Sequence, residues 1–322
     1  MAADRLISRR QRGGGQTRSH SRETTFPSTL AVVRRTAGGL IFLAGVVVIS
    51  GLLLSHRTST HNSQEVLIAV GDSYAAGYQP QDPSGAATLH GFVDRLAPLL
   101  EEKHPPTVLN FACSGATTAS VAQTLGCTTG ARANNSPPYT TTQLTAATQA
   151  VSAHADHISA IVVALGANDF ARCASEALVD SCISSEAAGV ELRLRRIITA
   201  LRNAAGPSTP IVGITYPNVG LIAWLAQPPR PDDAVHAQQL IAGQINPAIF
   251  SAYKGLAIVA DVTTASGGLD RLPSATGGPV PPSVTKLCQN TWMCTNTDLH
   301  LTDAGQDLVA HLIAQRLSEA RG

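Results

Sequence analysis

A serine directly behind an apolar run, in the order Gly71-Asp72-Ser73-Tyr74, can act as a nucleophile once a base removes its proton. His300, in Asp298-Leu299-His300, has the ordinary pKa range for such a base. Gly115, in Ala112-Cys113-Ser114-Gly115-Ala116-Thr117, lacks a side chain and so lets its backbone N–H approach a bound ester closely. Asn168, in Gly166-Ala167-Asn168-Asp169, offers a side-chain amide N–H to the same oxygen, and the backbone N–H of Ser73 is a third donor. Together these residue types suit attack on an acyl carbonyl with its oxyanion stabilised. Taken singly, each is ordinary: a serine after a strand is usually a turn or cap residue, and a lone Gly or Asn punctuates loops. The weight lies in four segments of the right types in the right order. Ser114 reads as a turn residue, Asp169 as a cap or a support for the Asn168 loop, and His154 and His157 as solvated residues near a helix end.

Something must bring these segments together. Five apolar runs recur at helix-length intervals: Val66 to Val70, Val108 to Phe111, Ile158 to Leu165, Pro210 to Ile214 and Leu256 to Ala260. Their hydrophobicity is continuous rather than alternating, which predicts strands buried on both faces. Helical patterns lie between and after them, at Gly91 to Lys103, Thr142 to His154, Glu186 to Ala204, Asp233 to Tyr253 and Thr302 to Ala320. Strand and helix in alternation predict right-handed crossovers and a parallel sheet covered on both sides, a three-layer α/β/α sandwich. Ligands bind such sheets outside the C-terminal strand ends. The first three chemical segments follow the first three runs directly, and the fourth opens the last helical pattern. Thr124 to Thr141 and Thr263 to Thr297 read as long loops of the kind that form lids or substrate walls.

Only 14% of the 322 residues are charged, which fits a compact fold and excludes a disordered or collagenous chain. Nine of the 23 basic residues but only two of the 22 acidic ones precede Ser63, leaving 14 basic against 20 acidic residues beyond it, a balance of −6. A folded part of that sign has no nucleic-acid footprint. Eight arginines from Arg5 to Arg35 flank the uncharged run Ala37 to Leu54, which is long enough to span a bilayer. Basic residues on the N-terminal side predict a cytoplasmic tail at 1–36, a signal-anchor at 37–54, a linker at 55–64 and an exported domain at 65–322. Leu54-Ser55-His56-Arg57 offers no small-x-small cleavage site, so an uncleaved anchor is the expectation, with a removed signal and secretion as the alternative.

Six cysteines agree with an oxidising compartment. Fifteen pairings are open to six cysteines; sequence proximity favours Cys113 with Cys127, Cys173 with Cys182 and Cys288 with Cys294. No CxxC occurs and no histidines stand at zinc-like spacing, so no metal is expected.

The four chemical segments resemble the blocks of the SGNH (GDSL-type) hydrolase superfamily, over roughly Glu65 to the C-terminus. The resemblance implies a flavodoxin-like sheet, Ser73 as nucleophile, Gly115 and Asn168 completing the oxyanion hole, and His300 as base. Tyr74 stands in place of the name-giving leucine. Three short-range disulfides are similar to those of secreted actinobacterial esterases and lipases of this family. The family's last block usually carries an Asp three residues before the His, but here Thr297 holds that position and Asp298 lies two before. Residues two apart in an extended segment point to the same side, so Asp298 can reach the imidazole if the loop adapts. A backbone carbonyl from the loop carrying Trp292 is the alternative partner. Leu301 also replaces the proline often found after the His. The G-x-S-x-G elbow of ordinary α/β-hydrolases is absent.

The expected activity is carboxylic ester hydrolysis by a monomer that needs no cofactor, acting on a small-molecule or lipid ester at a membrane. Deacetylation of a cell-wall polysaccharide is the nearest enzymatic rival, and a catalytically silent binding module is a rival of a different class.

Overall fold

The computed structural model describes residues 64–80, 88–101, 103–175, 178–273 and 279–321. The expected tail, anchor and most of the linker fall outside them, and among the described residues no helix is long and apolar enough to cross a membrane.

Five parallel strands form one sheet: β1 (Val66–Gly71), β2 (Thr107–Asn110), β3 (Ile158–Ala164), β4 (Ile211–Ile214) and β5 (Ile258–Ala260). Their spatial order is β2-β1-β3-β4-β5, the flavodoxin-like arrangement whose switch point lies between β1 and β3. The apolar runs are continuous because successive residues enter two different cores. In β1, Leu67 and Ala69 point to one side, while Val66, Ile68 and Val70 point to the other. Ala160 and Val162 of β3 join the first core, and Ile161 and Val163 join the second.

The helices, in chain order, are α1 (Ser73–Ala76), α2 (Phe92–Leu100), α3 (Ser120–Gln123), α4 (Gln143–Ala153), α5 (Ala167–Ala171), α6 (Val179–Ala205), α7 (Pro231–Leu240), α8 (Asn246–Tyr253), α9 (Val262–Ala265), α10 (Pro282–Asn290), α11 (Met293–Asn296) and α12 (Asp303–Glu319). α2 and α12 cover one face through Phe92, Leu96, Val309 and Ile313; α4, α6 and α8 cover the other through Val151, Leu194, Ile198 and Tyr253. Gln306 of α12, itself buried, accepts from the backbone N–H of Phe92 at 2.8 Å and so satisfies an orphan donor at the start of α2. Arg95 of α2 pairs with Asp303 and Asp307 of α12. The last helix is therefore fixed to the sheet, and the residues just before it inherit that position.

Three departures from the sequence reading have local causes. The pattern from Asp233 to Tyr253 is one helical stretch interrupted by a π-helical turn at Ile241–Ile245. Pro247, two residues beyond, cannot donate to the preceding turn, and a wider turn accommodates that loss. The helix expected from Glu186 begins earlier, at Val179. The segment from 263 to 297, expected as a loop, contains most of α9 and all of α10 and α11. Its Gly, Pro and Ser content hid a helix that starts on Pro282, where a proline costs nothing, and that buries Val284 and Leu287 against Leu221 and Trp224. The stretch from Thr124 to Thr141 forms no helix or strand and is a loop as read.

Candidate active site

β1 ends on Gly71, whose carbonyl accepts from the backbone N–H of Cys113 at 3.0 Å and from the buried side chain of Gln143 at 2.9 Å. A Cβ at Gly71 would lie 2.6 Å from the Ala75 Cβ and 2.7 Å from the Ala164 carbonyl oxygen, so only glycine lets the turn into α1 pack this closely on β3. Asp72 caps α1 by accepting from the Tyr74 N–H at 2.9 Å, and its other oxygen accepts from the Tyr216 hydroxyl at 2.8 Å. Burial pushes the Asp72 carboxyl up to about 7, against the opposing pull of the Tyr216 and Tyr74 hydrogen bonds. Ser73, at the first position of α1, is 7% exposed.

The structure brings Ser73, His300 and Asp298 into one line. Ser73 Oγ lies 2.7 Å from His300 Nε2, and His300 Nδ1 lies 2.7 Å from Asp298 Oδ1. The same aspartate oxygen accepts from the His300 backbone N–H at 2.8 Å. An acid two residues before the histidine reaches it because Thr297, the residue after α11, has φ +52° and turns the chain. A β-branched residue held there carries strain of about 1–3 kcal/mol. Thr297 thus occupies the position where the resemblance led one to look for the acid, and its conformation brings the next residue into reach. In the loop named as the alternative source of a partner, the Trp292 carbonyl accepts from the backbone N–H groups of Asn296 at 2.9 Å and Asp298 at 3.4 Å.

Desolvation pulls the His300 imidazole below the ordinary histidine range, and Asp298 counters part of that shift. With Nδ1 facing a carboxylate, the neutral ring keeps its proton there and offers Nε2 as an acceptor to the Ser73 hydroxyl. That is the protonation state in which the serine can be activated.

Gly115 lies in the loop after β2, exposed, at φ +82°, and a Cβ there would meet nothing within 4 Å. Backbone conformation, rather than crowding, is what favours glycine at this position. Asn168, in the first turn of α5, donates one amide N–H to the Ala116 carbonyl at 3.0 Å. A primary amide has two such donors, so a second remains. Asp169 is the support that the sequence suggested: its carboxylate accepts from the Thr118 N–H at 2.8 Å and hydroxyl at 2.6 Å, and Arg193 of α6 bonds both residues. Glu186 joins Arg193 and Arg172 to this brace. The loops after β2 and β3 are thereby held as one unit.

Among the remaining candidates, Ser114 Oγ is buried and has no hydrogen-bond partner among the described residues. His154 caps the end of α4, and the His157 carbonyl accepts from the Val66 N–H; both sit at the opposite end of the strands from Ser73. Disulfides join Cys113–Cys127, Cys173–Cys182 and Cys288–Cys294, with Cα separations of 5.9, 5.5 and 5.2 Å. One closes the Gly115 loop onto the 124–141 loop, one follows α5, and one links α10 to α11 ahead of His300.

A cavity of about 420 Å³ opens beside the triad. Tyr74, Ala167 and Leu299 line it, and these are the immediate chain neighbours of Ser73, Asn168 and His300. Phe170, Ile183, Ile245 and Ile249 line it further. Sequence reasoning did not find Tyr216, Gln79, Thr118 or Arg193. For Tyr216 a signal existed, since it lies two residues past β4 at another C-terminal strand end; for the others no local pattern marks them.

Ser73 after β1, Gly115 after β2, Asn168 after β3 and His300 ahead of the last helix, on a parallel sheet of order β2-β1-β3-β4-β5, fit the SGNH class of hydrolase. The chain belongs to the GDSL-like lipase/acylhydrolase family, whose model matches residues 69–308. No curated protein matches it significantly in sequence. Among solved structures, the lipase Lip_vut3 from a goat rumen metagenome is 13% identical, covering 79% of this chain and 97% of its own at a TM-score of 0.50. Phospholipase A1 from Streptomyces albidoflavus NA297 is 18% identical over 79% of this chain and all of its own, at a TM-score of 0.47. The extracellular lipase of Streptomyces rimosus is 18% identical over 78% and 98%, also at 0.47. At such identities the likeness is one of fold.

The lowered His300 pKa has a kinetic sign. A base works when neutral, so activity is retained as pH falls until the imidazole protonates, and the acid limb of kcat/KM is expected below pH 6.5. Asp298→Asn removes an interaction that favours the protonated ring. The variant should show that limb at still lower pH and a kcat reduced about 100- to 10,000-fold. A pH–rate profile of both proteins checks this; a wild-type limb above pH 6.5, or a limb that rises in the variant, contradicts it.

Proposed function

We propose that the protein is an exported serine hydrolase that cleaves carboxylic esters through an acyl-enzyme, a lipase or esterase in activity. The observation that carries this reading is the unbroken line Asp298–His300–Ser73, with both contacts at 2.7 Å. Ser73 Oγ attacks the ester carbonyl while His300 Nε2 takes its proton. The carbonyl electrons move onto oxygen, and the Ser73 N–H, the Gly115 N–H and the second amide proton of Asn168 receive that charge. Collapse expels the alcohol, which leaves with the proton held by His300. Water, deprotonated by the same imidazole, then attacks the acyl-enzyme and releases the acid. Asp298 keeps the ring in the required tautomer and stabilises it when charged.

The cavity favours an apolar acyl part over the acetyl group of a polysaccharide. Its lining is almost wholly apolar, and both tyrosine hydroxyls in it are engaged: that of Tyr74 donates to the Leu299 carbonyl and that of Tyr216 to Asp72. Sugar hydroxyls placed there would lose their water and gain few partners in return. An acetyl group would leave most of the 420 Å³ empty, whereas a longer acyl chain would occupy it. Burying each methylene contributes about 0.8 kcal/mol.

Three outcomes are expected. A fluorophosphonate probe should label the protein and fail to label Ser73→Ala; well-folded wild type that resists labelling favours a silent binding module. With p-nitrophenyl esters, kcat/KM should rise at least about tenfold from acetate to decanoate; a preference for acetate, or for acetylated sugars, favours the deacetylase. The Arg-flanked apolar run at 37–54 supports anchoring with the domain outside the cytoplasm. Full-length protein should therefore sediment with membranes, and a shortened soluble form would point to cleavage and secretion instead.

A further inference from the structure

Asp298 and His300 ride on the same short segment, so the bond between them orients the imidazole within that segment. It does nothing to set the segment's distance from Ser73. That distance must be fixed by contacts reaching across from the nucleophile's own side of the site.

Such contacts exist on both sides of His300. The Tyr74 hydroxyl donates to the Leu299 carbonyl at 2.5 Å, and the Gln79 side-chain amide donates to the Leu301 carbonyl at 3.0 Å. Tyr74 immediately follows the nucleophile, and Gln79 lies six residues after it. The carbonyl between them, that of His300, accepts from the Trp292 N–H at 2.9 Å. Trp292 in turn donates its indole N–H to Gln79 Oε1 at 3.0 Å. Three successive carbonyls are thus all engaged, two of them by the segment that carries Ser73. Tyr74 is itself held: it is 4% exposed, and its ring meets that of Tyr216 edge-on at 5.0 Å, while Tyr216 bonds buried Asp72. The Tyr78 ring packs 4.3 Å from the imidazole, between the two donors in sequence.

We propose that Tyr74 and Gln79 form a two-point clamp on the carbonyls flanking His300 and act as positioning residues that set the Ser73–His300 distance. Neither hydrogen-bonds to the reacting atoms; the Tyr74 ring, which Tyr74→Phe retains, packs 5.6 Å from the imidazole, centroid to centroid. The inference rests on the reading of Ser73 as a nucleophile and His300 as its base. It also gives Tyr74, where the family's name-giving motif has leucine, a role that leucine cannot fill, because leucine has no donor for the Leu299 carbonyl.

Tyr74→Phe, Gln79→Leu and the double variant test this in the full chain, with p-nitrophenyl acetate as substrate. Acetate is too short to sample the cavity wall that Tyr74 also forms, so a change in acyl binding does not enter. Each single variant should lower kcat about tenfold and the double variant about a hundredfold. KM should stay within about twofold, since ground-state binding is untouched. Fluorophosphonate labelling should slow in parallel, and the acid limb should stay at the wild-type pH because Asp298 still faces the imidazole. A purely structural role would lower melting temperature without moving kcat of the folded fraction. Unchanged kcat in folded variants, or a loss confined to KM, overturns the clamp. If Tyr74→Phe does not fold, the partly exposed Gln79 carries the same test. Wild type that resists the probe sinks the nucleophile reading and the clamp with it; wild type and variants labelled at equal rates sink the clamp alone.

Discussion

The hydrogen bond between Ser73 and His300 joins residues 227 positions apart, and nearly every feature of the domain bears on whether it can form. One end is fixed by β1, an interior strand at the switch point of the sheet. The other is fixed by α12, which packs on α2 across one face of that sheet. A contact of this length in the chain is costly in loop-closure entropy, and the two cores on either side of the sheet offset that cost. The cores come from alternate residues of the same strands, so burying one face without the other would leave half of each apolar run in water.

Desolvation is the second organising force. It lowers the basicity of His300 and raises the pKa of Asp72, and in both cases specific partners oppose it: Asp298 for the histidine, Tyr216 and Tyr74 for the aspartate. Asp169, also buried, has its carboxylate surrounded by Thr118 and Arg193. Hydrogen bonds to a charged group contribute about 1.5–3 kcal/mol each, and these tie the loop of Gly115 to the helix of Asn168. The buried acids beside the site are therefore structural ties rather than spare catalytic groups. Asp298, by contrast, bonds the His300 imidazole.

The site also stores strain where the chain must deliver two residues to one place. Thr297 adopts a left-handed conformation that a β-branched residue disfavours, and the next residue gains access to His300 as a result. The engaged carbonyls of residues 299 to 301, the Thr291 to Leu301 bridge and the α12 N-cap of Thr302 hold the turn against relaxing. Beyond this tightly bonded edge lies the apolar cavity, walled by α5, α6 and the π turn. Polar restraint on one side of Tyr74 and apolar space on the other give the site its asymmetry.

The sequence alone determined the five strands, because hydrophobic runs buried on both faces need no partner to be recognised. It also determined which segments lie at the C-terminal strand edge, since chain order and parallel topology leave little choice. The same regularity made the main helices legible and left α10 hidden, as a helix begun on a proline and flanked by Gly and Ser carries no periodic signature. What only the tertiary structure decided is the geometry between distant segments. Asp298 meets the imidazole, while Trp292 meets other backbone N–H groups, because of a φ angle at Thr297 that no residue type dictates. Tyr74, Gln79 and Tyr216 act through partners more than 140 positions away, and a hydrogen bond across that distance has no trace in local composition. The cavity likewise takes its apolar walls from segments far apart in the chain, among them α5, α6 and the π turn, which become neighbours only when the sheet has brought them together.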